Sequence, residues 1–297
     1  MIAPRRFLPS ISSLLALEAV DRLGTATAAA EDLALTHSAV SRQLKVLEEQ
    51  LGVGLLVRDG KALALTPAGA RYAHSVRGFL QDLARASLEL RASGSRDVIN
   101  LAVLPAFGMY WLTPRLKPFL DAHPGILVNQ RTRLSRFNFG LERFDAAIHF
   151  GIRDWPGVNY LELARERLVP VCAASIAPAP PLQPEELLGL PLLHLESRPG
   201  AWETWFRSHG CDAGQLRGPL FDQFGGLAAA AAAGLGAALL PDFLAAAEIA
   251  QGRVIPIGAA GVDSAGAYHL VWPQANQPTE ALRRLIDFLR RSRLSSI

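Results

Sequence analysis

Apolar residues between positions 24 and 51 recur at helical spacing. Leu33, Val40, Leu44, Leu47 and Leu51 form one stripe, and Ala28, Ala29 and Ala30 are small enough to let one helix lie close against another. The spacing predicts two short helices around a tight turn. On the opposite side of the second helix, His37, Ser41 and Lys45 fall at i, i+4 and i+8, and Ser38 and Arg42 form the adjacent row. A stripe of donors on an exposed helix suits a major groove, where base edges offer acceptors and phosphates flank the opening. A helical hairpin with a merely solvated polar face would carry the same stripe, and the residues that follow separate the two. Leu55 to Arg58 and Lys61 to Leu65 read as strands around the turn formers Asp59-Gly60. A helix-turn-helix followed by a two-stranded wing is far more specific than either part. Arg58 and Lys61 fall at the wing's tip, where they would meet the DNA backbone or the minor groove.

Thr66-Pro67 is a helix start, with a capping hydroxyl and a proline at the first helical position. Beyond it Gly69, Tyr72, Val76, Phe79, Leu83, Ala86 and Leu90 alternate spacings of three and four, the seam of a coiled coil. The seam predicts a long helix that pairs with a second copy, with Tyr72, Val76, Phe79, Leu83 and Leu90 as dimer contacts. After Ala92-Ser93-Gly94-Ser95 the pattern changes. Short apolar runs at Val98–Leu104, Ile126–Thr132, Ala146–Phe150, Leu168–Ala173, Gly236–Leu240 and Tyr268–Trp272 alternate with amphipathic helices, which predicts parallel α/β sheets. The expected class is therefore α/β overall, divided into a winged helix-turn-helix at 1–66, a linker helix at 67–94 and an α/β domain at 95–297.

Composition narrows the function. Half of the residues are hydrophobic, yet no uninterrupted apolar run reaches the roughly 18 residues of a membrane-spanning helix, so no membrane partner is expected. The net charge of +3 is uneven: residues 1–96 hold 12 Lys and Arg against 9 Asp and Glu, and the remainder is balanced at 18 against 18. The surplus sits with the proposed DNA-binding part. Cys172 and Cys211 stand alone, without the spacing of a disulfide framework or a zinc site, so neither metal nor cofactor is expected. Gly234-Leu235-Gly236 follows a helical alanine run and leads into a strand, the reverse of a dinucleotide-binding loop. No nucleophile elbow or phosphate loop accompanies it, and the chain does not read as an enzyme.

The same residues resemble the LysR-type transcriptional regulators. The likeness rests on Leu17-Glu18-Ala19-Val20, Gly24 to Ala30, His37 to Lys45, Leu47-Glu48, Leu51-Gly52 and Leu65-Thr66-Pro67-Ala68-Gly69. In the second half it rests on Trp111-Leu112-Thr113-Pro114-Arg115-Leu116, His123-Pro124, Asp145 to Gly151, Phe221-Asp222 and Gly234-Leu235-Gly236 before Leu239-Leu240-Pro241. The resemblance covers nearly the whole chain and is strongest to the branch of the glycine-cleavage activator and the β-lactamase regulator. It implies a periplasmic-binding-protein-like effector domain of two subdomains, about 98–170 with 266–297, and about 171–265, with a cleft between them.

In such a cleft ligands sit at strand ends, where helix N-termini offer free N–H groups to a carboxylate. That geometry selects Ala106, Phe107, Thr132, Arg133, Ser135, His149, Gln223, Phe224 and Tyr268 as effector contacts. At position 106 relatives often place Ser or Thr, so Ala106 departs from the pattern. The resemblance also implies a cytoplasmic homodimer or homotetramer on double-stranded promoter DNA, responsive to a small carboxylate or amino-acid-like effector, with RNA polymerase as a further partner. Ser38, Ser41 and Arg42 are expected at base edges together with His37, while Thr25, Thr27, Lys45, Arg58 and Lys61 hold phosphates. A solute-binding protein or a small-molecule enzyme on the same cleft is the alternative, and it leaves residues 1–90 without a role.

Overall fold

The computed structural model of the chain describes residues 7–59, 62–93, 97–177, 182–258 and 260–294. It divides into two units, residues 1–94 and 95–297.

In the first unit, α1 (Ile11–Leu23) begins where the Ser10 hydroxyl accepts from the Ser13 N–H and ends at Gly24, whose φ of 76° is the left-handed cap a glycine tolerates. The Thr25 hydroxyl caps α2 (Ala26–Asp32), and the Thr36 hydroxyl caps α3 (His37–Leu51) by accepting from the Ala39 N–H. Leu17, Val20, Ala29, Ala30, Val40, Leu44 and Leu47 close the core between the three helices. Strands β1 (Leu56–Asp59) and β2 (Ala62–Leu65) pair antiparallel with Asp59 opposite Ala62. Asp59 therefore belongs to a strand and not to the turn, and Gly60 and Lys61 lie outside the described residues. The Glu48 carboxylate ties this wing to α3 by accepting the N–H groups of Leu55 at 2.7 Å and Leu56 at 3.0 Å.

The Thr66 hydroxyl accepts the Gly69 N–H at 3.0 Å and opens α4 (Pro67–Ser93). The expected seam along α4 is divided. Val76 is buried in the core of its own unit and is corrected from dimer contact to core residue, while Tyr72 packs against that core and is half-buried. The cause is α1, which lies against the first turns of α4 and is held there by Arg77 pairing with Glu18 at 3.2 Å and Asp21 at 2.5 Å. Further along, Phe79, Leu83 and Leu90 are 51%, 42% and 73% exposed. Gly94 and Ser95, expected as the linker's end, lie outside the described residues.

In the second unit, β3 (Asp97–Val103) leads into a π-helical stretch (Phe107–Leu112) that continues as α5 (Thr113–Ala122). Then come β4 (Ile126–Thr132), β5 (Ala146–Gly151) and the long β6 (Val158–Cys172). After β6 the chain builds α6 (Pro184–Leu187), β7 (Leu192–Leu195), α7 (Ala201–Ser208), β8 (Leu220–Phe221) and α8 (Phe224–Ala232). It continues through β9 (Ala237–Pro241), α9 (Asp242–Ala250) and β10 (Ile255–Pro256), returns along β11 (Val262–Pro273) and ends in α10 (Glu280–Leu294). A mixed sheet runs β4-β3-β5-β11-β6-β9-β7-β8, with β10 added to β6. Parallel pairing joins β3 to β4 and β5, and β7 to β8 and β9, whereas β6 and β11 are antiparallel to all their partners. The expectation of parallel sheets thus fails at the two long strands. They carry the chain out of one half and back again, and so must run in opposite directions.

Along β6 the partner changes from β11 to β9 at Leu168. On one side of that change, α5 and α10 cover the sheet, with Phe119, Leu282, Leu285 and Leu289 against Ile99, Leu101 and Ile148. Beyond it, Trp202, Trp205 and Phe206 of α7 pack on Leu192 and Leu239, and α8 and α9 pack on Val171, Leu193 and Leu240. Gly234-Leu235-Gly236 is a helix-to-strand turn, as its sequence context predicts, with Gly234 at a φ of 81°.

Candidate functional site

The first candidate is the outer row of α3. His37, Ser38, Ser41, Arg42 and Lys45 are all exposed, and so are Thr25 and Thr27 at the start of α2. Backbone groups fix how the row is presented. Thr36 satisfies the N–H groups of Ala39 and Val40, which leaves those of His37 and Ser38 at the positive end of a 15-residue helix, where phosphate is favoured. The Ser38 hydroxyl sits 3.0 Å from that of Thr36, and Lys45 makes a loose 3.8 Å pair with Glu49 across a solvent-exposed turn. That pair is worth a few tenths of a kcal/mol at most, so the lysine stays available. Thr25 keeps its proton to donate although its oxygen caps α2. Arg58 lies on β1, and Lys61 is outside the described residues. Sequence reasoning missed Gln43, whose side-chain oxygen accepts from the Ser13 hydroxyl at 2.8 Å and locks α3 against α1. It also missed Glu48 as the support of the wing.

The second candidate is a cavity of about 740 Å³ in the second unit, within the range of small-molecule sites. It brings together Ala106, Phe107, Arg133, Ser135, His149, Gln223, Phe224 and Tyr268, eight of the nine residues expected there. Thr132 is not among the lining residues, because β4 ends at that position and the cavity begins one residue later. Phe107 and Tyr268 need a further correction. Phe107 stacks on Trp111 at 4.7 Å and on Tyr268 at 4.2 Å, and both rings are almost wholly buried, so they form the cavity floor and offer little surface to a ligand. His149 is a packed histidine: its Nε2 lies 3.1 Å from the Ile152 carbonyl and 3.3 Å from the Asp154 carboxylate. Ala106 stands beside the π-helical stretch, where the Thr113 hydroxyl donates to the Gly108 carbonyl at 2.8 Å. Irregular turns of this type mark positions where a helix is re-aimed near a site.

Sequence reasoning missed the cluster at the base of the cavity. Glu166 on β6 is fully buried and receives two donors from Arg198, at 2.6 and 2.8 Å, and the Tyr268 hydroxyl proton at 2.5 Å. The Arg198 guanidinium lies 3.5 Å from the centre of the Phe150 ring on β5 and 5.4 Å from that of Phe224 on α8. Arg198 thus bridges the two halves of the sheet, held by a carboxylate on a strand common to both. Burial, and then the neighbouring Glu166 charge, push the Tyr268 phenol well above its ordinary value, so it remains a proton donor. A bidentate Arg–carboxylate pair that also accepts a phenol satisfies a charge that would otherwise be very costly to bury. A glutamate among strand residues and an arginine 32 positions away give no local pattern to find.

Two family descriptions match the chain: "Bacterial regulatory helix-turn-helix protein, lysR family" over residues 11–70, and "LysR substrate binding domain" over residues 92–293. The transcriptional regulator TrpI of Pseudomonas aeruginosa is 35% identical over 291 residues, covering 96% of this chain and 98% of its own. The glycine cleavage system transcriptional activator of Escherichia coli is 34% identical over 251 residues, 84% of this chain and 82% of its own. The crystal structure of the effector domain of AmpR from Pseudomonas aeruginosa superposes with a TM-score of 0.62 at 30% identity, covering 67% of this chain and 97% of that one.

Proposed function

Because this chain belongs to the LysR family of DNA-binding transcriptional regulators with an effector-binding domain, we propose that α3 reads its operator and that the 740 Å³ cavity takes the effector. The observation that carries the reading is the exposed polar row of α3, backed by its capped N-terminus and by a wing tied to it through Glu48. Ser38, Ser41 and Arg42, with His37, reach base edges; Thr25, Thr27, Lys45, Arg58 and Lys61 hold the backbone. Phe79, Leu83 and Leu90 extend an apolar row along α4 beyond its own core, which supports a homodimer through this helix and a tetramer built from two such dimers. Two-fold pairing would place two reading helices on the halves of an inverted repeat.

The effector acts by population shift. A ligand that prefers one arrangement of the two halves changes how protomers assemble, and through that the spacing of the DNA-binding units and their approach to RNA polymerase. The reading places the protein in the cytoplasm as a regulator and not an enzyme. The solute-binding alternative gives α3 and the wing no role.

Arg42 tests the docking. Among the described residues it is exposed and paired with no acid. Arg42→Ala is expected to weaken specific operator binding by about 1–3 kcal/mol and to relax discrimination at one base pair, whereas Lys45→Ala weakens all sequences alike and lowers the salt dependence. Titration of both variants against operator and scrambled DNA checks this. Unchanged specific affinity for Arg42→Ala would remove α3 from the groove.

A further inference from the structure

Three arginines and three acids line the effector cavity, but ion pairs take up all three arginines and leave two of the acids over. Three arginines face it and each is already committed: Arg133 to Glu142 at 2.7 Å, Arg136 to Asp154 at 3.0 Å, and Arg198 to the buried Glu166 at 2.6 Å. Asp154 is further occupied by His149. Two lining carboxylates, Glu196 and Asp222, have no such counter-charge among the described residues. Their placement is set by the sheet. Leu195 of β7 pairs with Phe221 of β8 in parallel register, and the Glu196 N–H donates to the Phe221 carbonyl at 2.8 Å. Glu196 and Asp222 are therefore neighbours, each the first residue beyond the end of its strand. Like charges on adjacent strands repel, and both residues are exposed and line the cavity. Leu134, Phe137, Phe150, Ile152 and Trp155 contribute apolar lining to the same cavity.

We propose that the cavity selects its effector by positive charge: an organic ammonium group seated between Glu196 and Asp222, with an apolar remainder against Phe137, Phe150 and Trp155. The proposal rests on the reading of this cavity as the effector site and specifies the chemistry that site takes. An effector that carries a carboxylate alone finds no lining arginine free of an acid, leaves the two carboxylates facing one another, and would strand a buried Glu166 if it drew Arg198 away. An ammonium displaces no existing pair, and it relieves the repulsion between two carboxylates. A zwitterion is accommodated as well, since the first N–H groups of α8 lie next to Asp222 and the Gln223 side chain does not cap them.

The test is calorimetric titration of the full chain with three probes that share a phenyl group on a short chain and differ in charge: phenethylamine, phenylalanine and 3-phenylpropanoate. A set of aliphatic amines and their carboxylate counterparts is run alongside. Ammonium-bearing probes are expected to bind and carboxylate-only probes not to bind. Glu196→Gln combined with Asp222→Asn is expected to weaken the ammonium probes about tenfold or more, as for loss of a charge-assisted contact, without lowering the melting temperature of the free protein. Equal or tighter binding of 3-phenylpropanoate, unchanged amine affinity in the double variant, or no binding by any ammonium probe overturns the proposal. If specific operator binding persists in the same preparation, such a result removes this inference alone; loss of specific operator binding removes the regulator reading, whatever the cavity holds.

Discussion

Arg198→Met is expected to destabilise residues 95–297 by about 3–5 kcal/mol, the cost of leaving a carboxylate buried without its partner. Glu166 has no exposed surface, and after the substitution the Tyr268 hydroxyl is the remaining donor to it. The substitution also removes the cation that lies against the Phe150 ring. All five tryptophans, Trp111, Trp155, Trp202, Trp205 and Trp272, lie in this unit, so denaturant unfolding followed by tryptophan fluorescence reports on it and not on residues 1–94. The companion is Glu166→Gln with Arg198→Met. Removing both charges is expected to recover most of the lost stability, because the penalty comes from the stranded ion and not from the missing pair. A loss below about 1 kcal/mol for Arg198→Met, the range of an exposed pair, would show that the cluster is solvated.

Gly69→Ala is expected to destabilise residues 1–94 although it places a better helix former in a helix. Alanine in place of glycine favours a helix by about 0.5–1 kcal/mol. Here the added Cβ would stand 2.1 Å from the Leu55 carbonyl oxygen and 3.0 Å from its carbon, and that neighbour is backbone. Relief requires moving Leu55 away from α4, at a cost of about 1–3 kcal/mol typical of overpacking, which outweighs the propensity gain. Leu55 also donates to Glu48 and accepts from the Thr66 N–H, so its displacement carries the wing with it. Operator affinity should fall together with the melting temperature followed by far-ultraviolet circular dichroism. A neutral or stabilising result would contradict the close approach of α4 to the wing.

What the sequence revealed follows from the range of the forces involved. The helix-turn-helix was legible because its core, Val40, Leu44 and Leu47, and its caps, Thr25, Thr36 and Gly52, act within a few residues of one another. The same logic reached too far on α4. A seam of threes and fours states that one face is apolar and not which surface covers it, and α1 covers Val76 where a second copy was expected. In the second unit strand ends pointed to the cavity, and eight of nine expected residues line it. Their individual roles were not legible. Phe107 and Tyr268 are consumed by stacking on each other, and His149 by Ile152 and Asp154. Glu166 and Arg198 were missed because their pairing depends on β6 and the segment after β7 meeting in space. The free carboxylates Glu196 and Asp222 become distinctive only when every lining arginine has been matched to an acid.

Sequence-specific DNA binding through α3 is the property on which the proposed function depends. Mobility shift with the DNA upstream of its own gene, in excess nonspecific competitor and at two salt concentrations, tests it most directly. The expected result is a discrete complex that survives competitor at the higher salt and is weakened in Arg42→Ala. Binding that competitor and salt abolish together, with wild type and Arg42→Ala alike, would contradict it.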